Sequence, residues 1–223
     1  MLKVALFDLD DTLVDQGGAA RAALLGWLPE LGLDLDDPEE LVVAWTSIAE
    51  EHYARYQRRE ITFAEQRRLR VCEFLGVDAT DVEADEIFAG YLSRYEQAWT
   101  AFDDAAPALR RVRDAGLVAA VLTNGDSAHQ RLKLERTGLA EHVDVVVASD
   151  DLPAGKPDPR SYAGACEILG VVPDDVLMIG NDVEKDYQGP LDAGLGAVLL
   201  DRADRHPEIV DRIRTLDDVP LVA

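Results

Sequence analysis

Acidic residues crowd the end of the first apolar run of the chain, where Lys3-Val-Ala-Leu-Phe7 passes directly into Asp8-Leu-Asp10-Asp11-Thr12. Two carboxylates this close repel one another unless a cation or a proton lies between them, so Asp8 and Asp10 point to a Mg²⁺ site built from oxygens. Standing alone, such a pair would read as a solvated turn or a helix cap. Three more polar groupings follow apolar runs in the same manner: Thr123-Asn124-Gly125 after 117–122, Gly155-Lys156-Pro157 after 143–148, and Gly180-Asn181-Asp182, with Asp186 beyond, after 176–179. Each member has an ordinary reading as well. Thr123 is a strand-end hydroxyl, Asn124 a turn former and Lys156 a surface charge. Lys156 stands out because only Lys3, Lys133, Lys156 and Lys185 of the 22 basic residues are lysines, and this one sits between Gly and Pro at a strand end.

The elements that must carry these groups follow from periodicity. Short apolar runs ending abruptly in polar residues are the pattern of buried parallel strands, here 3–7, 117–122, 143–148, 176–179 and 197–200. Between them lie helical stretches: one from Pro107 to the stop at Gly116, one from Ser127 to Thr137, one that Asp158 caps with Pro159 in its first position and Gly170 at its end, and one through Pro190 to Ala193. Strand and helix in alternation predict a parallel sheet with helices on both faces and a ligand site beyond the carboxyl ends of the strands. From about 17 to 100 the pattern is helical throughout. Asp37-Pro38 marks one start, and Thr62 with Glu65 and Thr80 with Glu83 have the spacing of capping boxes. Leu41, Val42, Trp45 and Ile48 share one helical face; Phe74 with Val71, and Tyr91 with Ile87 and Tyr95, share others, which predicts a small bundle inserted after the first strand.

Composition narrows the partners. A formal net charge of -22 repels nucleic-acid backbones and anionic membranes, while leaving a small phosphate ester possible where local cations and a metal invert the field. The acidic excess reads as solubility charge, with salt adaptation the rarer alternative. No stretch of roughly 18 apolar residues suggests a membrane span. The first residues lack an export signal's apolar region, and Cys72 and Cys166 have no metal-ligand or Cys-x-x-Cys spacing; a cytoplasmic chain with reduced thiols is expected. His52, His129, His142 and His206 show no metal spacing either. Arg55, Arg58, Arg59, Arg67, Arg68 and Arg70 form a basic cluster in the insertion, read as a solvated face, with a substrate clamp as the sharper alternative. Oligomeric state has no signature.

Phe7-Asp8-Leu9-Asp10-Asp11-Thr12-Leu13 resembles the first motif of the haloacid dehalogenase superfamily of hydrolases. Leu122-Thr123-Asn124-Gly125, Gly155-Lys156-Pro157 and Ile179-Gly180-Asn181-Asp182 through Asp186 resemble the second, third and fourth, in order and at the expected strand ends. The resemblance implies an α/β fold: a Rossmann-like core over 1–16 and 101–223, and an all-helical cap over 17–100. It implies a Mg²⁺-dependent phosphatase acting on a small organophosphate. Asp8 is then the nucleophile that becomes an aspartyl phosphate, and Asp10 the acid and base, which asks for a carboxyl that keeps its proton among acidic neighbours. Thr123, with Asn124 and Lys156, binds the phosphoryl group, and Lys156 also holds Asp8 as a carboxylate. The metal set is Asp8, Asp10 and either Asn181 or Asp182, with Asp186 orienting water or Lys156 from behind. The chain departs from the commoner family pattern here, because Asn181 stands where an aspartate usually follows the glycine. A phosphotransferase or mutase, a 2-haloacid dehalogenase and a non-catalytic receiver-like protein are the alternatives. Asp10 argues against the dehalogenase and the long insertion against the receiver.

Overall fold

The computed structural model describes residues 1–33 and 36–221. The chain divides into two compact units, one of Met1–Asp15 with Thr100–Ala223 and one of Gln16–Trp99. Strands β1 (Val4–Phe7), β2 (Val118–Thr123), β3 (Val145–Ala148), β4 (Val176–Gly180), β5 (Gly196–Leu200) and β6 (Arg212–Ile213) belong to the first unit. Helices α1 (Gln16–Trp27), α2 (Pro38–Gln57), α3 (Phe63–Leu75) and α4 (Asp81–Gln97) make the second, and α5 (Ala105–Asp114), α6 (Ser127–Arg136), α7 (Pro159–Leu169) and α8 (Gly189–Asp192) return to the first.

The six strands form one parallel sheet in the order β3-β2-β1-β4-β5-β6. Strands buried on both sides carry apolar side chains at every position, and alternate residues divide between the two faces. Ala5 and Phe7 join Ala119, Val121 and Ile179 in a cluster with Ala108, Leu109 and Val112 of α5 and Leu134 of α6. Val4 and Leu6 join Ala120, Leu122, Val176 and Met178 on the other face, against Tyr162, Ala165 and Cys166 of α7. The predicted Rossmann-like sheet with helices on both faces is therefore present. The chain builds outward from β1 through β2 to β3 and then crosses back to β4 on the other side of β1. The strand order thus reverses between β1 and β4, and the crevice at their carboxyl ends is where this architecture binds ligands.

Two elements differ from the sequence reading. β6, paired with the end of β5, was not expected; two residues are too few to show an alternation. The segment after β4 begins earlier than Pro190, as a π-helical turn over Val183–Gln188 that leads into α8. Asp182 starts it by accepting hydrogen bonds from the backbone N–H groups of Glu184 and Lys185.

The helical unit is organised as its caps and apolar stripes require. Asp37 accepts from Glu40 N–H at the start of α2, and Thr62 with Glu65 and Thr80 with Glu83 form reciprocal capping boxes at α3 and α4. Trp45, 1% exposed, lies among Trp27, Phe74, Phe88 and Tyr91, its ring centroid 4.6 to 6.4 Å from theirs. Leu41, Val42, Val71 and Ile87 complete this core. Truncating a large buried aromatic removes its transfer energy and leaves a cavity. Trp45→Ala should therefore destabilise the protein by about 3–5 kcal/mol, and Thr62→Ala by about 1 kcal/mol; urea titration of both variants against the parent checks the pair.

Candidate active site

Asp8 is the first residue past β1. Its backbone N–H still donates to the Ile179 carbonyl, 2.9 Å away, so the sheet ladder fixes where the side chain emerges. Lys156 is the pivot of the site. Its Nζ donates to Asp8 Oδ1 at 2.8 Å and to Asp186 Oδ1 at 2.6 Å, and the lysine and Asp186 side chains are each only 2% exposed. Burial is the strongest influence on Asp8 and pushes its carboxyl up to about 7; Lys156 opposes this, while Asp186 and Asp10 add to it. Burial also disfavours the charged lysine, but the two carboxylates outweigh it, and Lys156 is held above its ordinary value as an ammonium.

The lysine is placed from both ends. Asn124, just past β2, donates from Nδ2 to the Lys156 carbonyl at 2.7 Å and accepts from the Lys156 N–H at 2.8 Å, so one side-chain amide grips the backbone on both sides of the residue. The peptide that follows, Lys156–Pro157, is cis. Asp158 and Pro159 open α7 as the sequence indicated, with Asp158 accepting from Arg160 N–H. At the ammonium end, Asp186 comes up from the π-helical turn, and its second oxygen accepts from the Asp182 N–H at 3.1 Å. That approach needs Gly180, because a Cβ there would overlap the Asp186 carboxyl.

Asp10 lies in a tight turn in which Leu13 and Val14 both donate to the Leu9 carbonyl and Asp11 takes a positive φ of 60°. Its surroundings differ from the acidic ones expected. Asp10 Oδ1 accepts from Nζ of Lys133 and Oδ2 from Nε2 of Gln130, the latter at 2.9 Å. The same Gln130 nitrogen donates to Thr123 Oγ1 at 2.7 Å. Neither α6 residue was singled out in the sequence. The available signal was Lys133's rarity as a lysine, together with its i, i+3 spacing from a glutamine on the helix that leaves Thr123 and Asn124. Thr12 and Arg202 were also missed. Thr12 Oγ1 donates to Asn181 Oδ1 at 3.0 Å, and Arg202, paired with Asp104, donates to the Thr12 carbonyl at 3.1 Å.

The structure thus gathers Asp8, Lys156 and Asp186 through direct bonds, and Asp10 with Thr123 through Gln130. Asn124 faces the lysine backbone, and Asp182 serves as a helix cap: Oδ1 takes two backbone N–H groups and Oδ2 takes Lys185 Nζ at 2.7 Å. Among the described residues no group of three or more His, Cys, Asp and Glu side chains could hold a metal. Mg²⁺ does not require such a cluster, since it keeps several waters and takes one or two carboxylates together with substrate oxygens. The Asp8 carboxylate and the Asn181 amide oxygen, each one residue past the adjoining strands β1 and β4, are hard oxygen donors of that kind and fit a sparsely ligated Mg²⁺. In the helical unit, Arg55 and Arg58 pair with Glu60, and Arg68 with Asp81 and Asp85, as the solvated-face reading expects. Arg70 instead lies over the ring of Trp45, 3.8 Å from its centroid.

Sheet order, strand-end motifs and the buried Lys156 ion pairs together define a class, and the comparisons name it: residues 2–194 match the model of the haloacid dehalogenase-like hydrolase family, and the chain belongs to that family. A 126-residue stretch, 56% of the chain, is 37% identical to phosphoserine phosphatase of Thermus thermophilus and spans only 51% of that enzyme. Human N-acylneuraminate-9-phosphatase is 29% identical over 89% of this chain and 82% of its own. The (S)-2-haloacid dehalogenase 4A of Burkholderia cepacia is 28% identical over 93% of this chain and 86% of its own. The fold is similar to that of the hydrolase YfnB from Bacillus subtilis, solved bound to magnesium, with a TM-score of 0.78, 22% identity, and coverage of 98% of this chain and 96% of that one.

Forcing a methyl group into a filled space typically costs about 1–3 kcal/mol. Gly180→Ala should show that loss, and the loss should shrink when Asp186→Ala has already removed the obstructing carboxyl. A double-mutant cycle read by chemical denaturation checks it, and additive losses would contradict the role given to Gly180.

Proposed function

We propose that the protein hydrolyses a small phosphate monoester, with Asp8 attacking phosphorus and carrying the phosphoryl group as an aspartyl phosphate. The observation that carries this reading is the buried ammonium of Lys156 locked between Asp8 and Asp186, at the crevice where the sheet reverses. A carboxylate that burial would otherwise neutralise is kept available as an anion by a cation that cannot turn away. Asp10, one residue removed, protonates the departing alcohol and then takes a proton from the water that cleaves the acyl phosphate. Thr123, buried at the end of β2 with its oxygen accepting from Gln130, keeps its own proton to offer to the phosphoryl oxygens. Lys156 also offsets the negative charge of the transition state.

Asp8 and Asn181 are the residues proposed to hold Mg²⁺, which when bound supplies positive charge to the phosphoryl oxygens. Asn181 is chosen over Asp182 because the Asp182 carboxylate is committed to the cap of the π-helical turn. The helical unit Gln16–Trp99, inserted between the first and second motifs, is proposed as the cap that restricts substrates to small esters. The phosphatase relatives support phosphate-ester chemistry in this family. No helix among the described residues is long and apolar enough to cross a membrane.

A second reading has its own support: the 2-haloacid dehalogenase relative aligns along most of its length, and Asn181 offers an uncharged amide in place of a carboxylate. One experiment separates the two. Release of inorganic phosphate from a panel of small esters, with Mg²⁺ and with chelator, should be metal-dependent and should fall below detection in Asp8→Asn, whose melting temperature shows that it remains folded. Halide release from 2-chloropropionate, with no phosphate release from any ester, would replace the phosphatase with the dehalogenase.

A further inference from the structure

Two of the chain's four lysines, Lys133 and Lys156, are buried with side chains 2% exposed, and each is paired with one of the first motif's aspartates Asp8 and Asp10. Lys156 holds Asp8, and Lys133 holds Asp10. Lys133 does not act alone. Gln130 precedes it by three residues on α6, so the two side chains leave the same face of the helix. Gln130 is itself 3% exposed. The face is placed by the start of α6, where Asp126 accepts from the His129 N–H at 2.8 Å only three residues after Thr123 ends β2. Leu134, on another side of the same helix, supplies its apolar packing against the sheet.

We propose that Gln130 and Lys133 are positioning residues that hold the Asp10 carboxylate and the Thr123 hydroxyl in one arrangement for leaving-group departure. An acid that protonates a departing oxygen must present a chosen oxygen along a chosen direction, and a lone carboxyl on a turn rotates freely about its last torsion. Here both oxygens are anchored from one helix, Oδ1 by Lys133 and Oδ2 by Gln130. Each carboxylate oxygen has two acceptor sites, so one bond to each leaves the other side open toward substrate. The Gln130 nitrogen has two protons for three nearby acceptors: Thr123 Oγ1 at 2.7 Å, Asp10 Oδ2 at 2.9 Å and the Asn124 carbonyl at 3.3 Å. The two short bonds tie the acid of the first motif to the hydroxyl of the second. A buried ammonium costs free energy unless it is paired; Lys133 sits where its pairing serves the reacting carboxyl.

The inference rests on the phosphatase reading, and the leaving group provides the test. An alkoxide needs protonation as it leaves, whereas 4-nitrophenolate departs with little help. kcat/KM covers the steps through leaving-group departure and excludes the later hydrolysis of the aspartyl phosphate. Lys133→Met and Gln130→Leu should lower kcat/KM for an alkyl phosphate by about 10²-fold while lowering it for 4-nitrophenyl phosphate by less than about tenfold. KM for the alkyl ester should be nearly unchanged. Circular dichroism and melting identify a variant that fails to fold, and the Gln130 variant carries the test if Lys133→Met does not. Equal losses on the two esters, or no loss on either, with an active parent enzyme would overturn the positioning role and leave the phosphatase reading standing. A parent enzyme active on neither ester would overturn both.

Discussion

A single buried ammonium organises the catalytic unit. Lys156 has lost nearly all contact with water and recovers that cost only by holding two carboxylates at once. Removing one partner from such an arrangement leaves uncompensated charge and typically costs 3–5 kcal/mol, about half the stability of a typical domain. Its neighbours follow from this requirement. Asn124 fixes the lysine backbone on both sides, Gly180 leaves room for Asp186, and Asp182 contributes its N–H to the second oxygen of Asp186. Groups from the ends of β2, β3 and β4 are thus drawn to the end of β1, where Asp8 emerges.

Asp10 is organised by the same logic from the other side. The chain is acidic overall, yet Asp8 and Asp10 of the first motif each meet a buried lysine, so fixed positive charge stands at the site against the sign of the average surface. In the proposed reaction an anionic substrate would meet cations fixed in advance, which would lower the reorganisation demanded as charge develops on the phosphoryl oxygens. Arg202 reinforces the turn that carries Asp10, bridging Asp104 and the Thr12 carbonyl, while the Thr12 hydroxyl reaches Asn181.

The fold positions the site, and fold alone does not name a substrate. Relatives that share this fold are phosphatases of quite different esters and a dehalogenase, as expected when one scaffold carries varied sites. In the proposed reading the helical unit is the cap that restricts the substrate. Its core is built from rings and aliphatic side chains around Trp45, most of its arginines pair with acidic neighbours on the surface, and Arg70 lies against the Trp45 ring.

Much of this was legible in the residues alone. Apolar runs that stop at polar groups gave β1 to β5, because a strand buried on both faces admits little else, and the capping spacings at Thr62 and Thr80 marked helix starts because those side chains satisfy particular backbone N–H groups. Asp8, Thr123 and Lys156 were visible for the same reason: each sits at the abrupt end of an apolar run or in the loop just beyond it. Residues acting from a helix face were not. Gln130 and Lys133 at i, i+3 look in sequence like any solvated stripe, and only the docking of α6 on the sheet turns that stripe toward Asp10. Asp182 carries the same carboxylate whether it binds a metal or caps a turn, and only the path of the backbone after β4 shows it capping the π-helical turn. Local patterns report which groups a segment must satisfy within itself; which charge meets which across more than a hundred residues is set only when the strands are laid side by side.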